Sequence, residues 1–240
     1  IKHNLKSAVT LCRKLGYDAI PLHGWLWRYG EPYEDGMRLL DDIKLAQKMA
    51  PELALIGGVG GFLGIPGEEN VLDTIRRVYV DKAKLKKDLD NMVVDAIESV
   101  KRQAESGIEI FLNCIDLATK EGPFFSREVM RELVFPYMKR IVDAVHRLGG
   151  LYIQHTDGNL WPILDDIVDT GIDCLQAIDP TAGMDIGKVK EKYGDKIAIW
   201  GNVDCARTLI YGGPEEVAEE TKECIRKASP GGGHILSSSN

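Results

Sequence analysis

The sequence of 240 residues is 44 % hydrophobic, 28 % charged and 7 % aromatic, and carries a formal net charge of −7. This is an ordinary globular composition, and length alone allows one large α/β domain or two small ones. The acidic balance argues against a nucleic-acid partner, and no apolar run approaches the roughly 18 residues that mark a membrane span. The opening IKHNLKSAVT reads as an amphipathic helix, not a signal peptide. Cys12, Cys114, Cys174, Cys205 and Cys224 are scattered and odd in number. They read as small buried hydrophobes in a reducing, cytoplasmic protein.

In chain order, a helix is expected near 2–15, with Leu5, Ala8, Val9 and Cys12 on one face and Gly16 as its stop. A strand follows at 17–23, then a helix at 36–50 and a strand at 52–59 that runs into a Gly-rich loop. Asp81 caps a long helix to residue 106, with Leu85, Leu89, Met92, Val93, Ala96, Ile97 and Val100 as its stripe. A strand at 107–114 precedes a helix from Ser126 to Leu148, which Pro136 kinks or breaks. Strands at 151–155, 172–178, 196–202 and 233–238 alternate with helices over 159–171, 184–194 and 213–228. Seven strands alternating with helices imply a parallel sheet under helical cover. Runs such as IEIFL and IAIW suit strands buried on both faces. The expected fold is an α/β (β/α)8 TIM-type barrel over residues 1–240, taken as one domain, with an open doubly wound sheet as runner-up. The chain begins with Ile and stops at HILSSSN, so it reads as a piece of a longer protein whose first strand precedes residue 1.

In a barrel the chemistry gathers where strands end. Those junctions hold His23 and Trp25, Asp116, His155 and Asp157, Asp179, Asn202 and Asp204, and Asn240. Each has a bland alternative. His23 can be a hydrogen-bonded structural histidine, Asp116 and Asp179 turn formers, and Asn202 and Asp204 caps of the next helix. The sharpest feature is H-x-D at 155–157. Residues two apart on an extended segment point the same way, and imidazole and carboxylate are both zinc donors. Against this stands a helix cap by Asp157 or Asn159.

The segment HTDGNLWPILDDIVDTGIDCLQAIDPTAGMDIGKVKEKYGDKIAIWGNVD, the following TLIYGGPEEVAEETKECIRKASPGGGHILSSSN, and the upstream IFLNCIDLATKEGPFFSREVMRELVFPYMKRIVDAV resemble the uroporphyrinogen decarboxylase superfamily. That resemblance implies one of two chemistries. One branch decarboxylates uroporphyrinogen without a cofactor. The other moves methyl groups between corrinoid proteins and small methylated substrates or thiols, usually with zinc. By resemblance, His23 stands where the decarboxylases carry a catalytic aspartate, and Asn240 where they carry a histidine. His155 matches the zinc-binding histidine of the coenzyme M methyltransferases, while Asp157 and Asn240 replace their two cysteines.

The expected reading is therefore a zinc-assisted methyltransferase. His155, Asp116 and His23 would be catalytic, and His155 and Asp157 would hold the metal. Asn202, Asp204, Asp179, Asn240 and Trp25 would line a small-molecule substrate, with methylcobalamin presented by a corrinoid protein and an oligomer left open. A uroporphyrinogen decarboxylase or a non-catalytic small-molecule-binding barrel is the alternative.

Overall fold

A computed structural model of the protein describes residues 2–22 and 36–240. His23 and Trp25 lie outside the described residues. The chain enters through α1 (Lys2–Leu15), whose Leu5, Ala8, Val9 and Cys12 are buried. It then alternates through β1 (Ala19–Pro21), α2 (Gly36–Met49) and β2 (Ala54–Val59). Two helices follow, α3 (Val71–Tyr79) and α4 (Lys82–Glu105), and lead into β3 (Ile110–Cys114). A small antiparallel ribbon, β4 (Ala118–Thr119) with β5 (Gly122–Pro123), separates β3 from α5 (Arg127–Leu133) and α6 (Phe135–Arg147). The second half is regular: β6 (Leu151–Thr156), α7 (Leu164–Asp169), β7 (Cys174–Ala177), α8 (Ile186–Tyr193), β8 (Ala198–Val203), α9 (Thr208–Tyr211), α10 (Pro214–Ala228) and β9 (His234–Ser238).

The seven main strands form one sheet in the order β1-β2-β3-β6-β7-β8-β9, and every neighbouring pair is parallel. The sheet curls as an incomplete barrel. Its central strands β2, β3, β6 and β7 are buried on both faces, as their apolar runs require, whereas Ile235 and Leu236 of the edge strand β9 are exposed. The helix-covered face carries Ile20, Leu55, Phe111, Tyr152, Leu175 and Ile199. The inner face carries a smaller cluster of Ile56, Leu112, Ile153 and Cys174, with Trp200 against it. No helix among the described residues is long and apolar enough to cross a membrane.

All seven expected strands are present in the expected parallel order. Several local features depart from expectation. Asp81 makes no side-chain cap to α4 and pairs with Arg76 at 3.6 Å, and Met92 is exposed. The break expected at Pro136 is present: helices α5 and α6 separate at Val134, two residues before it, because its ring and missing N–H bar an uninterrupted helix. Ser126 caps α5 by accepting from Val129 N at 3.3 Å. Helix α3, the short α9 and the ribbon are too brief for a periodic signal and were not foreseen. Cys12, Cys174 and Cys224 are buried, Cys205 is partly so, and Cys114 is exposed.

The ribbon lies against the loop after β6, where Asn159 N donates to Thr119 O at 2.8 Å. Gly158 permits this approach. Its φ is +89°, and a Cβ there would stand 2.4 Å from Ala118 O. Gly158→Ala is therefore expected to destabilise the protein by about 1–3 kcal/mol. Urea unfolding checks this: the midpoint should fall while the slope is unchanged.

Candidate metal centre

Alternation along β6 sets the site. Ile153 packs in the inner cluster and Tyr152 in the helix-covered one, so His155 faces inward with Ile153. Parallel register then places Cys114 of β3 and Gln176 of β7 beside His155 in one row across three strands. The His155 side chain is only 11 % exposed.

Gln176 orients the imidazole. Its amide Oε1 lies in hydrogen-bond contact with His155 Nδ1. An amide oxygen only accepts, so Nδ1 is the donor in this pair and Nε2 is left facing the two carboxylates. That nitrogen is 3.8 Å from Asp116 Oδ1 and 3.8 Å from Asp157 Oδ2. These separations are too long for hydrogen bonds. One donor atom from each of Asp116, His155 and Asp157 lies within 4.8 Å of the others, and the trio has metal-ligand character.

The two carboxylates come from different elements. Asp116 stands in the loop between β3 and the ribbon, where its Oδ1 accepts from Asp157 N at 2.9 Å. Asp157 follows β6 directly, and its Oδ2 accepts from Asn240 Nδ2 at 2.8 Å. Helix capping is thus not the work of Asp157. Nor does Asn159 cap α7, whose N-cap Ile163 makes no side-chain cap; Asn159 Oδ1 accepts from Trp161 N at 3.3 Å in the turn before the helix.

Electrostatics follow from this crowding. The Asp157 carboxyl is held above the usual carboxylate range, mainly by desolvation. His155 pulls it down, while the Asp116 and Asp179 carboxylates push it up. The Cys114 thiol is pushed up to about 11 by desolvation, with Asp116 and Asp157 adding to the effect. Carboxylates gathered beside an imidazole nitrogen make a cluster suited to a cation.

The other expected site residues separate into two groups. Asp179 acts electrostatically on Asp157 but also caps the turn at Pro180–Ala182, accepting from Thr181 N at 2.8 Å and Thr181 Oγ1 at 2.7 Å. Asn202 and Asp204 are not brought to the trio by their hydrogen bonds. Asn202 Nδ2 donates to Ile178 O at 2.8 Å, and its Oδ1 accepts from the Cys224 thiol of α10 at 3.4 Å. This ties β8 to the end of β7 and to the helical layer. Asp204 Oδ1 accepts from Ala206 N and Arg207 N at 2.8 and 2.9 Å, the cap of a turn. The capping role that the sequence offered as the alternative describes Asp204, at a turn, while Asn202 caps no helix and links β7, β8 and α10 instead.

Sequence reasoning missed Gln176 and placed Cys114 among buried hydrophobes. The signal for both was in-register parity with His155, which is readable only once the strand pairing is known.

A family model described as Uroporphyrinogen decarboxylase (URO-D) matches residues 34–240. A curated relative named "Uroporphyrinogen decarboxylase" from Shewanella denitrificans is 27 % identical over 212 residues, covering 83 % of this chain and 56 % of the relative. Another of the same name, from Aromatoleum aromaticum, is 29 % identical over 145 residues, covering 58 % of this chain and 38 % of the relative. The chain thus spans about half the length, or less, of the curated relatives it matches. Among solved structures, "methyltransferase from Methanosarcina mazei" superposes with a TM-score of 0.75 at 18 % identity, covering 97 % of this chain and 77 % of that one. A D-psicose 3-epimerase from Clostridium cellulolyticum gives a TM-score of 0.55 at 10 % identity, covering 98 % and 78 %. These two likenesses show the fold alone. The family model spans most of the chain, and the chain belongs to the uroporphyrinogen decarboxylase (URO-D) family.

Proposed function

We propose that the protein is a zinc-assisted methyltransferase that moves a methyl group between a small methylated substrate or thiol and a corrinoid protein. The observation that carries this reading is the convergence of Asp116, His155 and Asp157, with His155 Nε2 3.8 Å from an oxygen of each carboxylate. Zinc fits this donor set. Bonds of about 2.0–2.1 Å to nitrogen and oxygen put tetrahedral neighbours about 3.4 Å apart, slightly closer than the separations present. When bound, zinc lowers the pKa of a coordinated thiol or polarises an ether oxygen. The chain's own residues prepare the place. Gln176 holds the Nδ1 proton and so keeps Nε2 a donor. Asn240 and the Asp157 backbone N–H hold the two carboxylates in position.

The names of the curated relatives favour the second reading, a uroporphyrinogen decarboxylase. That chemistry needs a proton source and cationic groups for the substrate's other carboxylates. The groups that act on Asp157 among the described residues are the His155 imidazole and the Asp116 and Asp179 carboxylates. Such a rim repels a polycarboxylate and attracts a cation.

Purified at full length with zinc supplied and no chelator, the protein is expected to hold zinc near one per chain. His155→Ala should lose it, together with methyl transfer, while the far-ultraviolet circular dichroism stays unchanged. A wild type without near-stoichiometric zinc would make His155 an acid–base or hydrogen-bonding group and remove the metal reading. Incubation with uroporphyrinogen, followed by chromatography, should yield no tetracarboxylate product. Product formed at ordinary enzyme rates would establish the decarboxylase instead.

The raised Asp157 carboxyl has a pH consequence. A carboxyl with a higher pKa in the folded state binds more protons folded than unfolded. Stability of the metal-free protein therefore falls as pH rises through that window. Asp157→Asn removes this contribution. The metal-free variant should melt above wild type at neutral pH, and the gap should close on acidification toward the ordinary carboxylate range. Thermal melts of both proteins across pH, with chelator present, read the difference.

A further inference from the structure

Asp116 sits in a loop whose backbone is held from several sides. Asn113 Oδ1 accepts from Ile115 N at 2.9 Å, and Gln154 Nε2 donates to Ile115 O at 3.1 Å. Ile65 N donates to Asp116 O at 2.9 Å. Leu117 N donates to Thr156 Oγ1 at 2.9 Å, and Phe124 N donates to Leu117 O at 3.0 Å.

Three of these partners, Asn113, Gln154 and Thr156, are polar side chains with no exposed surface. They lie on the face opposite His155, because Gln154 and Thr156 share parity with Tyr152, and Asn113 with Phe111, in the helix-covered cluster. A buried amide or hydroxyl is unfavourable there unless it is bonded, and leucine or valine would fill similar volumes without that desolvation. Gln154 is bonded throughout. It also accepts from Tyr152 OH at 3.2 Å and donates to His155 O at 2.6 Å. The same segment of β6 therefore presents His155 and Asp157 to the site and grips, from behind, the loop that brings Asp116 to them.

We propose that Thr156 and Gln154 are positioning residues of the cation site: from the back of the sheet they hold the Ile115–Leu117 backbone and so place the Asp116 carboxylate against His155 and Asp157. This rests on the metal reading of the trio for its effect on cation binding. It leaves a separate structural mark, because Asp157 N is bonded to Asp116 Oδ1 and loses that partner if the loop drifts.

The test uses the full chain in two measurements. In the first, zinc affinity is read by competition with a chromophoric chelator. Thr156→Val keeps the shape and removes the acceptor for Leu117 N, and is expected to weaken zinc by about tenfold or more. Thr156→Ser should restore most of the affinity. In an Asp116→Ala background, Thr156→Val should produce little further loss, because the residue acts through Asp116. Equal losses in both backgrounds, or no loss in either, would overturn the proposal. Gln154→Met, of similar length, is the second probe and should repeat the pattern if Thr156→Val does not fold.

In the second measurement, amide exchange is followed on the metal-free protein. The Asp157 amide should be protected in wild type, exchange faster in Thr156→Val and regain protection in Thr156→Ser. If wild type binds no zinc, the metal reading fails and the exchange experiment decides alone. Unchanged Asp157 protection in both Thr156→Val and Gln154→Met would then refute positioning of the loop.

Discussion

Strand β6 is bonded to β3 on one side and to β7 on the other, with Cys114, His155 and Gln176 in a single row. Every group of the candidate site depends on that register. A slip of one residue would turn His155 and Asp157 into the helical layer and bring Gln154 and Thr156 to the inner face. Packing prevents it. Tyr152 is fully buried against the helices, and Ile153 is buried in the inner cluster. Large aromatic and small aliphatic residues on alternate positions leave the strand one acceptable setting. The pairing that buries the core is thus the same pairing that assembles the polar trio.

The trio sits uneasily within that core. Desolvation raises the Asp157 carboxyl, and the Asp116 and Asp179 carboxylates add to the effect. In the absence of a cation this arrangement opposes folding, a common condition of functional sites. Local bonds offset part of the penalty. Asn240 donates to Asp157, the Asp157 backbone N–H donates to Asp116, and Gln176 fixes the imidazole. Groups bonded in this way are held in the arrangement that the proposed cation site requires.

Bonding inside the wall of the sheet separates residues that look equivalent in sequence. Asn202 and Asp204 end β8 much as His155 and Asp157 end β6, yet their polar atoms are engaged elsewhere. Asn202 binds the carbonyl of Ile178 and the thiol of Cys224. Asp204 closes the turn that follows it. A polar residue at a strand exit faces the lumen only when its parity points there and no nearer backbone group claims it.

The seven strands and most long helices were legible in the sequence, because apolar runs with glycine and proline boundaries signal them locally. H-x-D at 155–157 was legible as a shared direction, since alternation in an extended segment requires no knowledge of neighbours. Sequence alone also limited the chemistry to that of donors such as imidazole and carboxylate at strand ends. It placed Asp116 and Asn240 at the same rim as His155 and Asp157 but could not name Gln176 or the individual bonds, because those contacts cross between strands and, for Asn240 and Asp157, span 83 positions of chain. Nor could it separate Asn202 and Asp204 from the site, or show that buried Gln154 and Thr156 grip the Asp116 loop. Those outcomes depend on which strands pair and in what register. That is a property of the closed-packed sheet, where two sets of side chains compete for opposite faces, and no local stretch of residues contains it.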